Sequence, residues 1–423
     1  MGWVMVLLPV ALLIAGFPFF VVLLGTVAIV LAFFGTIPAT AAHQVMFGAL
    51  DKYALLAVPF FIFAGDLLGR GGVSIRLVRW VQAIIGRVRG SLPFTSLGTA
   101  VVFSAISGST AATVAAVGSL MYKRLREAGY SEKFSTGLLI AAGAIDNLIP
   151  PSIGFILYGI ASDTSIVKLF AAGFVPGLVL ALFFSFYIYR KAVQEGDRGG
   201  PPFSLAELGR ATRDGIWAIA APVAVLGGIY TGVFSPTEAA GIACVYAILV
   251  SWGIYREATL KDVFESASRS MYLTGQVFVI LACAGVYSWL LTVTGAGPLV
   301  IAAITEMQLE PWALLLAVNI LLLLVGMVLD TVSAILILTP LLAPIAKAAG
   351  IDPIHFGVVV IMNLSIGTFT PPFGLNIFVG QAVFKAPLSS IYPGLVPFII
   401  AAIGALAVVT YIPQLSLFIL RFL

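Results

Sequence analysis

Of the 423 residues, 61% are hydrophobic and only 9% charged, with a mean hydropathy of +1.12, whereas soluble globular chains carry roughly 25% charged residues. So much apolar surface excludes a water-soluble core and calls for a bilayer, in which backbone groups must bond within helical segments of about 20 residues. The formal net charge of +4 is spread over loops without a basic stripe, which excludes nucleic-acid binding and leaves membrane orientation as its use.

In chain order, apolar runs predict spans near 3–16, 18–35, 53–69, 134–162, 169–189, 215–233, 237–254, 271–292, 354–384 and 389–411. The first lacks the basic start and small-residue cleavage site of a secretory signal and reads as a span. Two further segments, 94–122 and 312–349, read as pairs of helical arms meeting at polar tips, Ser107-Gly108-Ser109 and Leu329-Asp330-Thr331. An arm of about 13 residues covers about 20 Å of a core about 30 Å thick, so each pair should turn back as a re-entrant hairpin. Basic residues Arg70 to Arg89 precede the first hairpin and Lys123 to Lys133 follow it, which puts both flanks in the cytoplasm. The odd number of spans between the hairpins makes the second enter from the opposite face, with both chain ends outside. Counting each arm as a full span is the alternative topology.

Glycines and prolines recur at an offset of 221: Gly129 with Gly350, Pro150 with Pro371, Pro151 with Pro372, Gly159 with Gly380, Gly173 with Gly394 and Pro176 with Pro397. Ser131 and Asp352 each follow a glycine stop as the N-cap of the next helix, and Pro353 suits a first turn. The fold class expected is therefore all-α and polytopic, two inverted repeats of five spans each with a hairpin and a broken helix. Inverted repeats with paired broken helices point to a secondary transporter with a midplane site.

Pro150-Pro151 and Pro371-Pro372 lie inside otherwise helical spans, where each pair removes two donors and frees the carbonyls about a turn upstream. Those carbonyls, with the tip hydroxyls, suit a dehydrated sodium ion, and the amide groups opening the second arms suit an anion. Asp146 and Asp330 fall near the midplane, where an unpaired Asp costs about 2.5–3.5 kcal/mol, so ion ligation or proton coupling is expected of them. Ser235-Pro236-Thr237-Glu238 reads as a capping box. Cys244 and Cys283 read as small packed hydrophobes, and Asp66, Asp163, His43 and His355 as interfacial or packed groups. No nucleophile elbow, phosphate loop, dinucleotide fingerprint or zinc set appears, which argues against an enzyme and against ATP drive in this chain. An intramembrane aspartyl protease using Asp146 and Asp330 is the alternative from another class; it leaves the repeat unexplained.

Four stretches, SGSTAATVAAVG at 107–118, IPPS at 149–152, SPTEAAG at 235–241 and TPPFGLNIFVG at 370–380, together resemble the large membrane (M) subunit of tripartite ATP-independent periplasmic (TRAP) transporters over nearly the whole chain. The resemblance implies a bacterial inner-membrane sodium symporter that takes an organic acid from a periplasmic binding protein, pairs with a small four-helix Q subunit and moves as an elevator. It implies one sodium site at Ser107, Gly108, Ser109 and the backbone around Asn147 to Pro150, to which the midplane position of Asp146 adds a carboxylate, and a second at Asp330, Thr331, Gly367, Thr368, Thr370 and Pro371. Substrate would meet Ser109, Thr110, Ser152, Thr331, Phe373 and Asn376. Asp146-Asn147 departs from the family, which usually has a small or apolar residue there; an added carboxylate would bind a cation or repel a dianion. The expected division is a scaffold at 1–91 and 191–296 and a moving transport domain at 92–190 and 297–423. A standalone sodium/dicarboxylate symporter is the alternative within transporters. The broken spans and arms between 134–189 and 312–411 carry only Lys168, Lys347 and Lys385 as cations, so the particular acid is not legible.

Overall fold

The computed structural model describes residues 2–34, 39–196, 199–295 and 310–423, and every regular element among them is helical. The expected boundary at 296/297 lies outside the described residues. The first part comprises α1 (Gly2–Ile14), α2 (Phe19–Phe34), α3 (Ala39–Leu50), α4 (Ala57–Arg70) and α5 (Val73–Ile85). The first hairpin follows as α6 (Ser91–Ser107) and α7 (Thr110–Glu127), then α8 (Glu132–Gly143), α9 (Ile153–Ser162) and α10 (Ile166–Gln194). Next come α11 (Leu205–Asp214), α12 (Ile216–Tyr230), α13 (Pro236–Ile248) and α14 (Leu260–Val293). The second hairpin is α15 (Pro311–Gly326) and α16 (Thr331–Ala348), followed by α17 (Pro353–Gly367), α18 (Leu375–Phe384) and α19 (Leu388–Tyr411).

Three of these helices lie where no span was expected: α3, α5 and α11. In α5 the buried Val73, Leu77, Val78 and Val81 follow helical spacing while Arg76 and Arg79 lie between them. Such an amphipathic stripe stabilises a helix without a long apolar run. Among the described residues six helices are long and apolar enough to cross a membrane, including α10 with 29 residues and α14 with 34. At 1.5 Å per residue α14 extends about 51 Å, beyond the hydrocarbon on at least one side. It packs on α2, α3, α4 and α16, and α4 packs on α13.

The hairpin arms have 17 and 18 residues in the first pair and 16 and 18 in the second, longer than the expected 13. Each still meets a broken helix partway along it. A Cβ built on Gly108 would lie 3.0 Å from the Pro151 carbonyl, and beyond that level α9 continues for 10 residues, about 15 Å.

Both breaks have the expected causes. α8 tightens into a 3-10 turn at Ala144–Asn147 and stops before Pro150-Pro151, whose peptide bond is cis, as is that of Pro371-Pro372. The helix starts reproduce the repeat, since 331 − 110 and 353 − 132 both equal 221. After the prolines the register slips by one: Ile153 and Leu375, Ile166 and Leu388, and the left-handed caps Asp163 (φ 54°) and Lys385 (φ 52°) are each 222 apart. Phe373-Gly374 stand where the first copy has Ser152 alone, so Gly159/Gly380, Gly173/Gly394 and Pro176/Pro397 recur in kind but not in helical register. The caps are as expected: Ser131 accepts from Phe134 N at 3.3 Å, and Asp352 from Ile354 N at 2.8 Å and His355 N at 3.1 Å.

The contact pattern is two-fold. α7 packs on α18 as α16 packs on α9, and α8 on α19 as α17 on α10. Tyr158 Oη near the end of α9 donates to the Pro353 carbonyl opening α17 (2.9 Å), while Tyr122 late in α7 stacks on Phe384 at the end of α18 (4.8 Å). The two broken helices therefore run antiparallel. Phe134, Phe184, Tyr187 and Phe398 interlock α8, α10 and α19 through ring pairs 4.9–6.2 Å apart, each worth about 0.5–1.5 kcal/mol beyond area burial.

Candidate functional site

The first tip turns because Gly108 takes φ 63°, a left-handed conformation in which an L side chain is strained. Ser109 then opens α7 in an extended conformation without a side-chain cap, which leaves the first amides of that arm uncapped by it. Ser107 Oγ donates to the Ser109 carbonyl (3.2 Å) and accepts from Ser109 N (3.3 Å), pinching the tip. Across from it lie the 3-10 turn and Pro151, so Ser107, Gly108, Ser109, Asn147 and Pro150 come from two elements in contact. Asn147 is 6% exposed and its Nδ2 has no partner.

Asp146 is fully buried, as expected, but its side chain is directed into the hairpin. It accepts from Thr113 Oγ1, about one helical turn past the tip, and Ser104 and Ser107 face it from α6.

The second tip differs. Asp330 is exposed, contrary to the buried acid expected, and its carboxylate caps α16, accepting from Ser333 N at 3.0 Å and Ser333 Oγ at 2.5 Å. Thr331 is half-buried. The first arm meets the second break backbone to backbone: a Cβ on Gly367 would lie 2.5 Å from Gly326 Cα. At that break Thr368 Oγ1 donates to the Ser365 carbonyl (2.6 Å) and Thr370 Oγ1 to that of Ile366 (2.7 Å), beside Pro371. Gly367, Thr368, Thr370 and Pro371 thus form one segment, while the Asp330 carboxylate is engaged by Ser333. With Asp146 bound to Thr113 and Asp330 to Ser333, the two acids form no catalytic pair, which removes the protease alternative.

Among the residues expected to meet substrate, Asn376 is central. Its Nδ2 donates to Thr368 Oγ1 (3.1 Å), its N donates to the Thr368 carbonyl (2.8 Å), and its buried Oδ1 has no partner. A Cβ on Gly143 would lie 3.0 Å from the Thr110 carbonyl and 3.5 Å from Asn376 Nδ2, so the second break touches the first hairpin there. Ser109 and Thr110 lie at that hairpin, and Ser152 is buried as the cap of α9, accepting from Phe155 N at 3.4 Å. Phe373 does not join this group; it is 59% exposed.

Sequence reasoning missed a buried polar chain behind the second break. Asn363 Nδ2 donates to Asn319 Oδ1 (2.7 Å), Asn319 Nδ2 to Thr410 Oγ1 (3.2 Å), and His355 bridges the Thr410 carbonyl and Ser416 Oγ at 3.2 Å each. Asn319 and Asn363, the asparagines inside apolar runs, were the available signal.

Antiparallel broken helices, each met by a hairpin inside a polytopic helical bundle, define a secondary transporter. The chain resembles the *Alcanivorax borkumensis* YdaH transporter at TM-score 0.65 and 15% identity, covering 91% of this chain and 90% of that one, which shows the fold alone. Residues 4–415 match the family described as tripartite ATP-independent periplasmic transporter, DctM component. Relatives include the ectoine/5-hydroxyectoine TRAP transporter large permease protein of *Ruegeria pomeroyi*, 37% identical over 412 residues (97% of this chain, 96% of the relative). The C4-dicarboxylate TRAP transporter large permease protein of *Pseudomonas aeruginosa* is 40% identical over 372 residues (88% and 87%). The chain belongs to this TRAP large-permease family. It is a multi-pass inner-membrane transport permease and not an enzyme.

Proposed function

We propose that this permease carries out sodium-coupled uptake of an organic acid handed over by a periplasmic binding protein, in complex with a small four-helix Q subunit. The tripartite, periplasmic family and its large-permease relatives for ectoines and C4-dicarboxylates support the partners and the substrate class. The observation that carries the coupling is the meeting of each hairpin with a Pro-Pro break: Gly108 against the Pro151 carbonyl, Gly326 against Gly367. Carbonyls and hydroxyls converge there, at the first tip together with amides that no side chain caps, an arrangement suited to a hard cation beside a carboxylate.

In this reading sodium binds among Ser107, Gly108, Ser109, Asn147 and Pro150, and again at Gly367, Thr368, Thr370 and Pro371, with Asp330 and Thr331 closing the second site as the hairpin shifts. Substrate lies between them at Ser109, Thr110, Thr331 and Asn376. The two halves are inverted repeats, the hairpins are re-entrant, and 92–190 with 297–423 move as an elevator against 1–91 and 191–296. The test is thermal stability of the detergent-purified chain in sodium against potassium at equal ionic strength, with Thr368→Val and Asp330→Asn alongside. Sodium-selective stabilisation, weakened in both variants, is expected; equal stability in the two salts refutes sodium coupling. Uptake by proteoliposomes without a binding protein would instead identify a standalone symporter.

A further inference from the structure

Away from the hairpins, α13 continues through a π-type turn at Leu249–Ile254 to form one span of 19 residues, Pro236–Ile254. It packs on α4 and α12 and buries Ala239, Ala240, Ala243 and Ala247. On its other side Ile242, Val245, Leu249 and Trp252 are exposed, at spacings of three and four that make one stripe on a helix. A groove of about 620 Å³ runs along Gly241, Ile242, Val245 and Leu249, and a second of about 650 Å³ follows it at Trp252, Gly253, Arg256, Ala258, Thr259 and Leu260. From Gly241 to Trp252 the helix rises about 16 Å, close to half of a hydrocarbon core about 30 Å thick.

The second groove ends on a cation that has no acid. Near it Glu257 is bonded to Arg76 (2.6 Å), Lys261 pairs with Glu265 (3.8 Å), and the Asp262 carboxylate accepts from Thr259 N (2.8 Å) and Thr259 Oγ1 (2.6 Å) in the cap of α14. Arg256 Nε donates to the Gly253 carbonyl (3.3 Å), and among the described residues no carboxylate lies within ion-pair distance of the guanidinium. Arg256 also takes φ 54°, a left-handed conformation in which any side chain is strained. The backbone therefore favours glycine at this position and does not account for the guanidinium. The Arg76–Glu257 bond sets the groove beside the start of α5, on the flank that the basic residues before the first hairpin assign to the cytoplasm.

We propose that this face of α13 binds one anionic phospholipid of the cytoplasmic leaflet, with the headgroup phosphate on Arg256 beside Trp252 and an acyl chain along Leu249, Val245 and Ile242. Lipid chains touch any apolar face of a spanning helix. What commits this one to an anionic lipid is a guanidinium with unspent donors, a geometry that matches phosphate, at the end of an apolar groove one leaflet long. Trp252 suits the level between headgroup and chain, where an indole finds apolar and polar surroundings together. A soluble anion would leave the apolar groove uncovered, and a protein partner would have to bring its own acid to Arg256. The site stands whatever the substrate and the coupling ion.

The test is native mass spectrometry and thermal melting of the full chain in non-ionic detergent, with added phosphatidylglycerol or phosphatidylcholine of the same acyl chains. Arg256→Gly removes the cation and relieves the left-handed strain, so it is expected to fold at least as well as the wild type. The wild type is expected to hold phosphatidylglycerol in preference to phosphatidylcholine and to melt higher with it. Arg256→Gly is expected to bind phosphatidylglycerol about fivefold more weakly and to lose the gain in melting, whereas Lys261→Ala, which removes a cation paired with Glu265, is expected to keep both. Equal binding of phosphatidylglycerol by wild type and Arg256→Gly overturns the proposal, as does equal binding of the two lipids by the wild type. Inorganic phosphate that reproduces the gain would make this a soluble-anion site and overturns the lipid. Loss of a protein mass in Arg256→Gly, a second copy or a small partner subunit, would give the face to that protein and overturns it as well.

Discussion

Gly367→Ala tests whether the second hairpin and the second broken helix are held by a backbone crossing. The new Cβ would lie 2.5 Å from Gly326 Cα and 2.6 Å from Gly326 O, against about 3.5–4.0 Å for relaxed contacts. The shortfall is about 1 Å. Both groups it meets are backbone, so no side chain can rotate away and α15 must separate from α17. Overpacking of this kind costs about 1–3 kcal/mol, roughly 5- to 150-fold in the folding equilibrium. Gly275→Ala in α14 is the control: nothing lies within 4 Å of its Cβ, and alanine is the better helix former by about 0.5–1 kcal/mol. Thermal midpoints in detergent should fall for Gly367→Ala and hold or rise for Gly275→Ala. Equal midpoints for Gly367→Ala and wild type would refute the crossing.

Asn319→Leu should cost about 1–3 kcal/mol by stranding Asn363 and Thr410, and Asn319→Leu/Asn363→Leu less than the sum of the two single changes, as a double-mutant cycle of melting will check. Ser235→Ala removes the half of a complete capping box in which Ser235 Oγ accepts from Glu238 N at 3.3 Å, and should lower stability by about 0.5–2 kcal/mol in the same assay. Arg76→Lys should not restore what Arg76→Ala loses: the guanidinium bonds Glu257 at 2.6 Å and lies 3.7 Å from the Tyr255 ring centre, a stacked fork that an ammonium does not reproduce. Matching melting midpoints for Arg76→Lys and wild type would count against that role.

Most spans were legible because a bilayer selects on one variable, apolar length, and the Pro-Pro pairs announce their own breaks. The same search passes over α5, where Arg76 and Arg79 interrupt every apolar run although Val73, Leu77, Val78 and Val81 share a buried face. A period-based reading would have found it. The repeat was legible up to the prolines because glycine stops and caps fix helix starts locally. It failed by one residue beyond them because Phe373-Gly374 lengthen a turn, and composition does not report turn length.

The two acids show the limit most clearly, since each follows a polar tip or precedes a Pro-Pro pair and looks alike in sequence. What separates them is the spacing to the next hydroxyl. Asp330 has Ser333 three residues on, the distance at which an N-cap carboxylate finds a backbone amide and a hydroxyl in its own first turn, so it needs no tertiary partner and can remain exposed. Asp146 sits in a 3-10 turn between Ile145 and Asn147 and accepts instead from Thr113, which comes from 33 residues earlier in the chain. An acid whose needs are met within its own helix turn can be read as a cap from sequence. One whose partners arrive from another helix carries its meaning in the packing, and there Oδ1 of Asp146 is buried without a hydrogen-bond partner.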